Sequence, residues 1–161
     1  MITIERVSHA QMPNGEKGDE QNLLTPIVTH EIPEVVVPAE TRSLRFSFRH
    51  LDTSHIKFRI SDCGAEYLRV LLEQIKNYSQ WTVDDFCDQN NNEHRHTIDF
   101  SETSEHNGFT NAGIDQDQLA YNDAWQFQLI QTEDWRVHGI LVDDTFYVVW
   151  LDQNHNLYPR G

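Results

Sequence analysis

Residues 135–159, WRVHGILVDDTFYVVWLDQNHNLYP, constrain the fold more than any other stretch of the chain. Two runs of apolar and β-branched residues, 137–142 and 145–151, flank the acidic pair Asp143 and Asp144. Such residues suit a pleated, half-buried surface, and a two-residue polar break between them favours a tight hairpin. With the turn at Asp143 and Asp144, Val142 opposes Thr145, Leu141 opposes Phe146 and Val137 opposes Trp150. Side chains alternate between faces, so this register predicts Val137, Gly139, Leu141, Phe146, Val148 and Trp150 on one side. Arg136, His138, Ile140, Tyr147, Val149 and Leu151 then fall on the other. One face is apolar; the other mixes apolar residues with an Arg–His pair.

Upstream, the strict alternation of Leu44, Phe46 and Phe48 against Arg45, Ser47 and Arg49 predicts a strand. Asp62 reads as the N-cap of a helix over CGAEYLRVLLEQIKNYS, with Tyr67, Leu68, Leu71, Leu72 and Ile75 on its packing face. Thr82 caps a second, short helix, VDDFCDQ, whose early acids Asp84 and Asp85 favour a helix start. HRHTIDF predicts a short strand inside a loop-like region, Asn107-Gly108 a turn, and AWQFQLIQ a strand leading into the hairpin. The order is strand, helix, helix, then a meander. It indicates an α+β fold with two helices on one face of a largely antiparallel, curved sheet.

Residues 1–43 read differently. The first part lacks hydrophobic periodicity, and in PIVTHEIPEVVVP three prolines punctuate β-branched residues. Proline confines such a segment to an edge strand or an extended path, so 1–43 is expected as an extended or flexible arm before one domain over 44–161. At 161 residues the chain suits one domain of ordinary size, large enough for a real core. A formal charge of −14 opposes binding to nucleic acid or anionic membrane unless charge is segregated. Arg42, Arg45, Arg49, Lys57, Arg59 and Arg69 supply a candidate basic strip near the first strand and helix. No apolar run approaches a membrane span and no leader pattern opens the chain, so a cytoplasmic protein is expected. The two cysteines, Cys63 and Cys87, lack CxxC spacing and read as ordinary reduced thiols.

The residues that carry chemistry gather around the hairpin. Arg136 and His138 lie two apart on one strand, with Asp152, Asn154, His155 and Tyr158 beyond it. His moves protons near neutral pH, and Arg holds phosphate or developing negative charge. With His94, Arg95 and His96 these residues contain the parts of a metal-independent phosphate-handling site. His94 and His96, two apart on a strand, also share a face as metal ligands do, but no third ligand stands at a diagnostic spacing. Glycine-rich phosphate loops, GxSxG and HExxH are absent; neither cofactor nor metal is expected.

LRFSFRHLD, HRHTIDFSETSEHNGF, AWQFQLI and the 135–159 stretch resemble an uncharacterised family of small bacterial proteins. The strand–helix–helix–meander order also resembles RelE/YoeB-type toxins, endoribonucleases restrained by an antitoxin. That resemblance implies a helical pair on a curved sheet, with Arg136 as the phosphate-holding sheet arginine. His155 and Tyr158 would then stand for the C-terminal acid–base pair. His138 is a further acid–base candidate, and His94, Arg95, His96, Arg45 and Arg49 are candidate RNA-binding residues. The implied partners are RNA and an antitoxin. The chain departs from the family in its acidity, since the family is usually basic. The competing reading is a non-catalytic acidic protein that docks on a basic partner, such as a nucleic-acid enzyme or defence complex.

Overall fold

The computed structural model describes residues 38–88, 94–115, 117, 119 and 122–158. The expected arm up to residue 37 lies outside the described residues. Residues 38–43, expected as its end, instead take part in the fold. Ala39–Thr41 form a 3-10 turn, Ser43 bridges to Thr82, and the Arg42 carbonyl accepts the Val83 N–H at 3.2 Å.

Five strands and two helices follow: β1 (Arg45–Ser47), α1 (Ala65–Tyr78), α2 (Val83–Cys87), β2 (Arg95–Thr97), β3 (Ala124–Gln128), β4 (Arg136–Val142) and β5 (Thr145–Asp152). They form an α+β fold around one open sheet of order β1-β5-β4-β3-β2. Pairing is antiparallel from β2 through β5, whereas β1 runs parallel to β5, so the sheet is mixed.

Both helices cover one face. Tyr67, Val70, Leu71 and Tyr78 of α1 and Val83 and Phe86 of α2 join Trp125, Phe127, Val137, Phe146, Val148 and Leu151 in a continuous core. The second helix starts as its sequence requires, with the Thr82 hydroxyl and the Asp85 carboxylate closing a reciprocal capping box. The first does not. Asp62 ends a separate 3-10 turn, and α1 begins at Ala65 after Gly64, whose N–H donates to Gln153 Oε1 at 2.7 Å. The packing face is rotated as well: Val70 is buried, and Leu72 is 64% exposed.

Loops cover the opposite face. Phe58, Ile98, Phe109, Ala112 and Leu157 close over Val149 and Trp150. Trp150 is fully buried, its ring 4.7 Å from Phe58 and 4.6 Å from Phe109. The Asp52 N–H donates to the Val149 carbonyl at 2.9 Å, fastening the loop after β1 to the sheet.

The hairpin corrects one expectation. Its turn and first pairs stand as read, with Val142 opposite Thr145 and Leu141 opposite Phe146. Between His138 and Gly139 a β-bulge shifts the register, so Val137 faces Leu151 and His138 faces Trp150. Trp150 therefore leaves the helix side, and Leu151 takes its place there. The physical reason is at Gly139, where a Cβ would sit 2.3 Å from the Tyr147 carbonyl oxygen and 2.4 Å from the Phe146 ring. Only glycine permits this approach, and a glycine inside a strand commonly marks a bulge. Gly139→Ala is expected to cost roughly 2–4 kcal/mol, since the added atom meets backbone that cannot step aside. Urea unfolding measures it; a midpoint equal to wild type would remove the bulge from the account.

Candidate functional site

The loop-covered face of the sheet carries an unusual row of polar side chains. The register aligns His96, Gln126, His138 and Trp150 across four strands, and Gln128, Arg136 and Asp152 in a second row beside it. His138 and Asp152 are completely buried and joined, His138 Nε2 donating to Asp152 Oδ2 at 3.2 Å. A carboxylate only accepts, so the proton sits on Nε2 and Nδ1 is left as an acceptor. That Nδ1 has no partner among the described residues, and neither do Gln126 Oε1 and Trp150 Nε1 in the same row.

Asp152 also organises the chain beyond β5. Its carboxylate accepts the N–H groups of Asn154 at 3.3 Å, Asn156 at 2.8 Å and Leu157 at 3.0 Å. The turn is thereby wound around one anion. It holds His155 at φ +56°, a left-handed conformation that costs a non-glycine residue of order 1 kcal/mol. Burial raises the Asp152 pKa, but the hydrogen bond from His138 and the two N–H donors of Asn156 and Leu157 outweigh it. The net shift is downward, and Asp152 is ionised. Burial holds His138 below its ordinary value against the pull of Asp152, so His138 is neutral.

The turn presents His155 and Tyr158 together, both half-buried, with ring centroids 5.8 Å apart; the His96 ring lies 6.2 Å from Tyr158 on the other side. Burial and then the nearby Arg136 charge lower the His155 pKa. Burial and the charges of Glu102 and Asp99 raise that of Tyr158. At neutral pH the pair is a neutral imidazole beside a protonated phenol, a base next to an acid. Neither ring makes a hydrogen bond among the described residues. His96 differs, because Nδ1–H donates to the Thr97 carbonyl at 2.7 Å and Nε2 accepts from Gln126 at 2.8 Å.

The remaining candidates are distributed by the structure. His138 is sealed from solvent and supports the turn instead of meeting a substrate. Arg136 is 9% exposed, and its Nη1 donates to the carbonyls of Glu133 and Trp135 at 3.4 and 3.2 Å. Arg95, expected at an RNA surface, points to the helix side. Its guanidinium lies 4.8 Å over Trp81 and its Nε donates to the Phe86 carbonyl at 2.9 Å, pinning α2 to β2. His94 is exposed. Arg45 bonds Asp144, so of the first-strand pair only Arg49 is exposed without an acidic partner among the described residues. The basic strip is largely neutralised: Arg42 also meets Asp144, Lys57 meets Glu105 and Arg69 meets Glu66 and Glu73. Burial pushes the Cys63 thiol up to about 11 and raises Cys87 too, which keeps both protonated. Among the described residues no three His, Cys, Asp or Glu side chains are placed to hold a metal ion, and no helix is long and apolar enough to cross a membrane.

Sequence reading missed the Asp152 partnership and the role of Gln126. The signal was present in Asp152-Gln-Asn154-His-Asn156, since an acid just after a strand commonly accepts the following backbone N–H groups.

Both buried groups make the fold acid-sensitive. Their folded pKa values are depressed, so the unfolded chain binds more protons below about pH 6.5 for His138 and below about pH 4 for Asp152. Stability is full above those values and falls as pH drops through them. The urea midpoint is expected to decrease from pH 7.5 to 5.5 and again towards pH 4; an increase on acidification contradicts the assignment. Asp152→Asn is expected to cost about 3 kcal/mol, since it replaces a buried carboxylate that accepts from His138 and from three backbone N–H groups. No family model matches this sequence, and no curated protein or solved structure matches it either.

Proposed function

We propose that this protein is an endoribonuclease of the RelE/YoeB type, cleaving RNA without a metal through His155 and Tyr158. The observation that carries the reading is the neutral His155 imidazole held beside the protonated Tyr158 phenol on the turn after the last strand. The order strand, two helices and four-stranded meander supports it, as does the position of Arg136 on the adjoining strand.

His155 takes the proton of a ribose 2′-hydroxyl as that oxygen attacks phosphorus. The bond from phosphorus to the 5′-oxygen breaks, and Tyr158 protonates the departing oxygen. The products are a 2′,3′-cyclic phosphate and a 5′-hydroxyl. The Arg136 charge, close enough to depress His155, stabilises negative charge on the phosphoryl oxygens. His138 and Asp152 fix the turn. An antitoxin would be the natural protein partner of such a nuclease.

One observation favours a second reading, an acidic protein docking on a basic partner. The chain carries a charge of −14, and among the described residues Arg42, Arg45, Lys57 and Arg69 are paired with its own carboxylates. RNA binding draws affinity from phosphate neutralisation, which this surface supplies sparingly.

The two readings separate in one set of assays. Purified protein is given free mRNA and translating ribosomes, with His155→Ala and Tyr158→Phe alongside. The nuclease reading expects cleavage that falls roughly 10²- to 10⁴-fold in each variant while circular dichroism is unchanged. Its rate rises with pH along a limb lying below pH 6.5, because the base is a depressed histidine. Unaltered cleavage in His155→Ala, or none by wild type, would sink it. Salt-sensitive binding to a basic protein that survives His155→Ala is the outcome expected of the docking reading.

A further inference from the structure

Away from the His155 turn, a cavity of about 240 Å³ opens on the loop-covered side near the hairpin tip, lined by Arg49, His50, Asp115, Ile140, Val142 and Tyr147 among others. Its composition is mixed in a specific way. Ile140 and Val142 of β4 give it an apolar wall. His50 and Tyr147 give it aromatic surface, their ring centroids 5.3 Å apart and their planes at 58°. His50 Nδ1 is 2.9 Å from the Ala112 carbonyl, so the proton is on Nδ1 and Nε2 is left as an acceptor without a protein donor among the described residues. Arg49 brings a positive charge with no acidic partner among the described residues, although Asp115 lines the same cavity. Asp115 Oδ1 accepts the Asp117 N–H at 3.1 Å, which leaves Oδ2 as its second acceptor.

The geometry points to a binding site for a nucleoside monophosphate, or for one nucleotide of a single strand, with the base against Tyr147 and His50 and the phosphate at Arg49. A simple anion has no use for the aromatic and apolar walls, and an apolar ligand has none for an exposed arginine. Base-on-aromatic stacking tolerates any base because each has a π-face, and arginine matches phosphate geometrically. His50 Nε2 and the Asp115 carboxylate are acceptors for a base N–H. The volume lies below the roughly 300 Å³ at which pockets for larger ligands begin, so the site takes one base and not two. Nothing in this assignment requires the protein to cleave RNA, because the site shares no residue with the His155 turn.

The test is calorimetric titration of the full chain with uridine and guanosine monophosphates, against inorganic phosphate and ribose 5-phosphate. At least one nucleotide is expected to bind roughly tenfold tighter than either control, the margin supplied by stacking. Tyr147→Leu is expected to erase that margin while leaving the weak phosphate binding in place. Arg49→Ala is expected to weaken nucleotide and phosphate alike, and its side chain is exposed, so the fold is not at stake. Equal affinity for nucleotide and phosphate, a margin that survives Tyr147→Leu, or no saturable nucleotide binding overturns the assignment. Binding is read without turnover, so a protein that binds but does not cleave supports this site while removing the nuclease reading.

Discussion

The Asp152 carboxylate is the constraint on which the functional end of this molecule depends. It sits fully buried at the end of β5, where an isolated anion would be prohibitively costly, and it persists because four donors converge on it. One donor comes from the neighbouring strand and three from the chain that follows. The same set of bonds thus fixes the imidazole of His138 on the sheet and the path of the backbone away from it. Position and electrostatics are settled together. His155 adopts its left-handed conformation because Asp152 holds the residues on both sides, and the ring is thereby carried to Tyr158.

Several charges tie elements of the fold together. Arg95 lies among three aromatic rings and bonds backbone carbonyls, so a cation serves as a rivet between helix and strand. Asp144, buried at the hairpin turn, gathers both Arg42 and Arg45 and so ties the start of the fold to its last hairpin. With 12 Lys and Arg against 26 Asp and Glu, the chain carries more than twice as many acids as bases. Any polyanion it meets must be recognised through a few local groups and not by a broad basic field.

Much of this was legible in the residues. The hairpin turn, the strand of Trp125 and Phe127, the Thr82 cap and the α+β order follow from alternation, polar breaks and capping chemistry. His155 and Tyr158, paired in the sequence only by resemblance, have ring centroids 5.8 Å apart. Three things were hidden. The bulge at Gly139 is a steric fact about two strands already in contact, and a regular count through the hairpin therefore places Trp150 on the wrong face. Arg95 reads as a surface cation because cations are mostly exposed, and only the aromatic cage of Tyr78, Trp81 and Phe86 reverses that prior. Asp152 looks like one acid among many until a buried histidine is found across from it.

The placement of β1 has a consequence for how the molecule is made. This strand has three residues and its sheet partner is β5; the Arg45–Asp144 contact spans 99 residues of sequence. Helices can form as soon as they emerge from a ribosome, but β1 has no ladder to join until β5 is synthesised. The sheet is completed only when β5 is free to pair. Until then Leu44 and Phe46 lack Phe146, the β5 ring that shares their core.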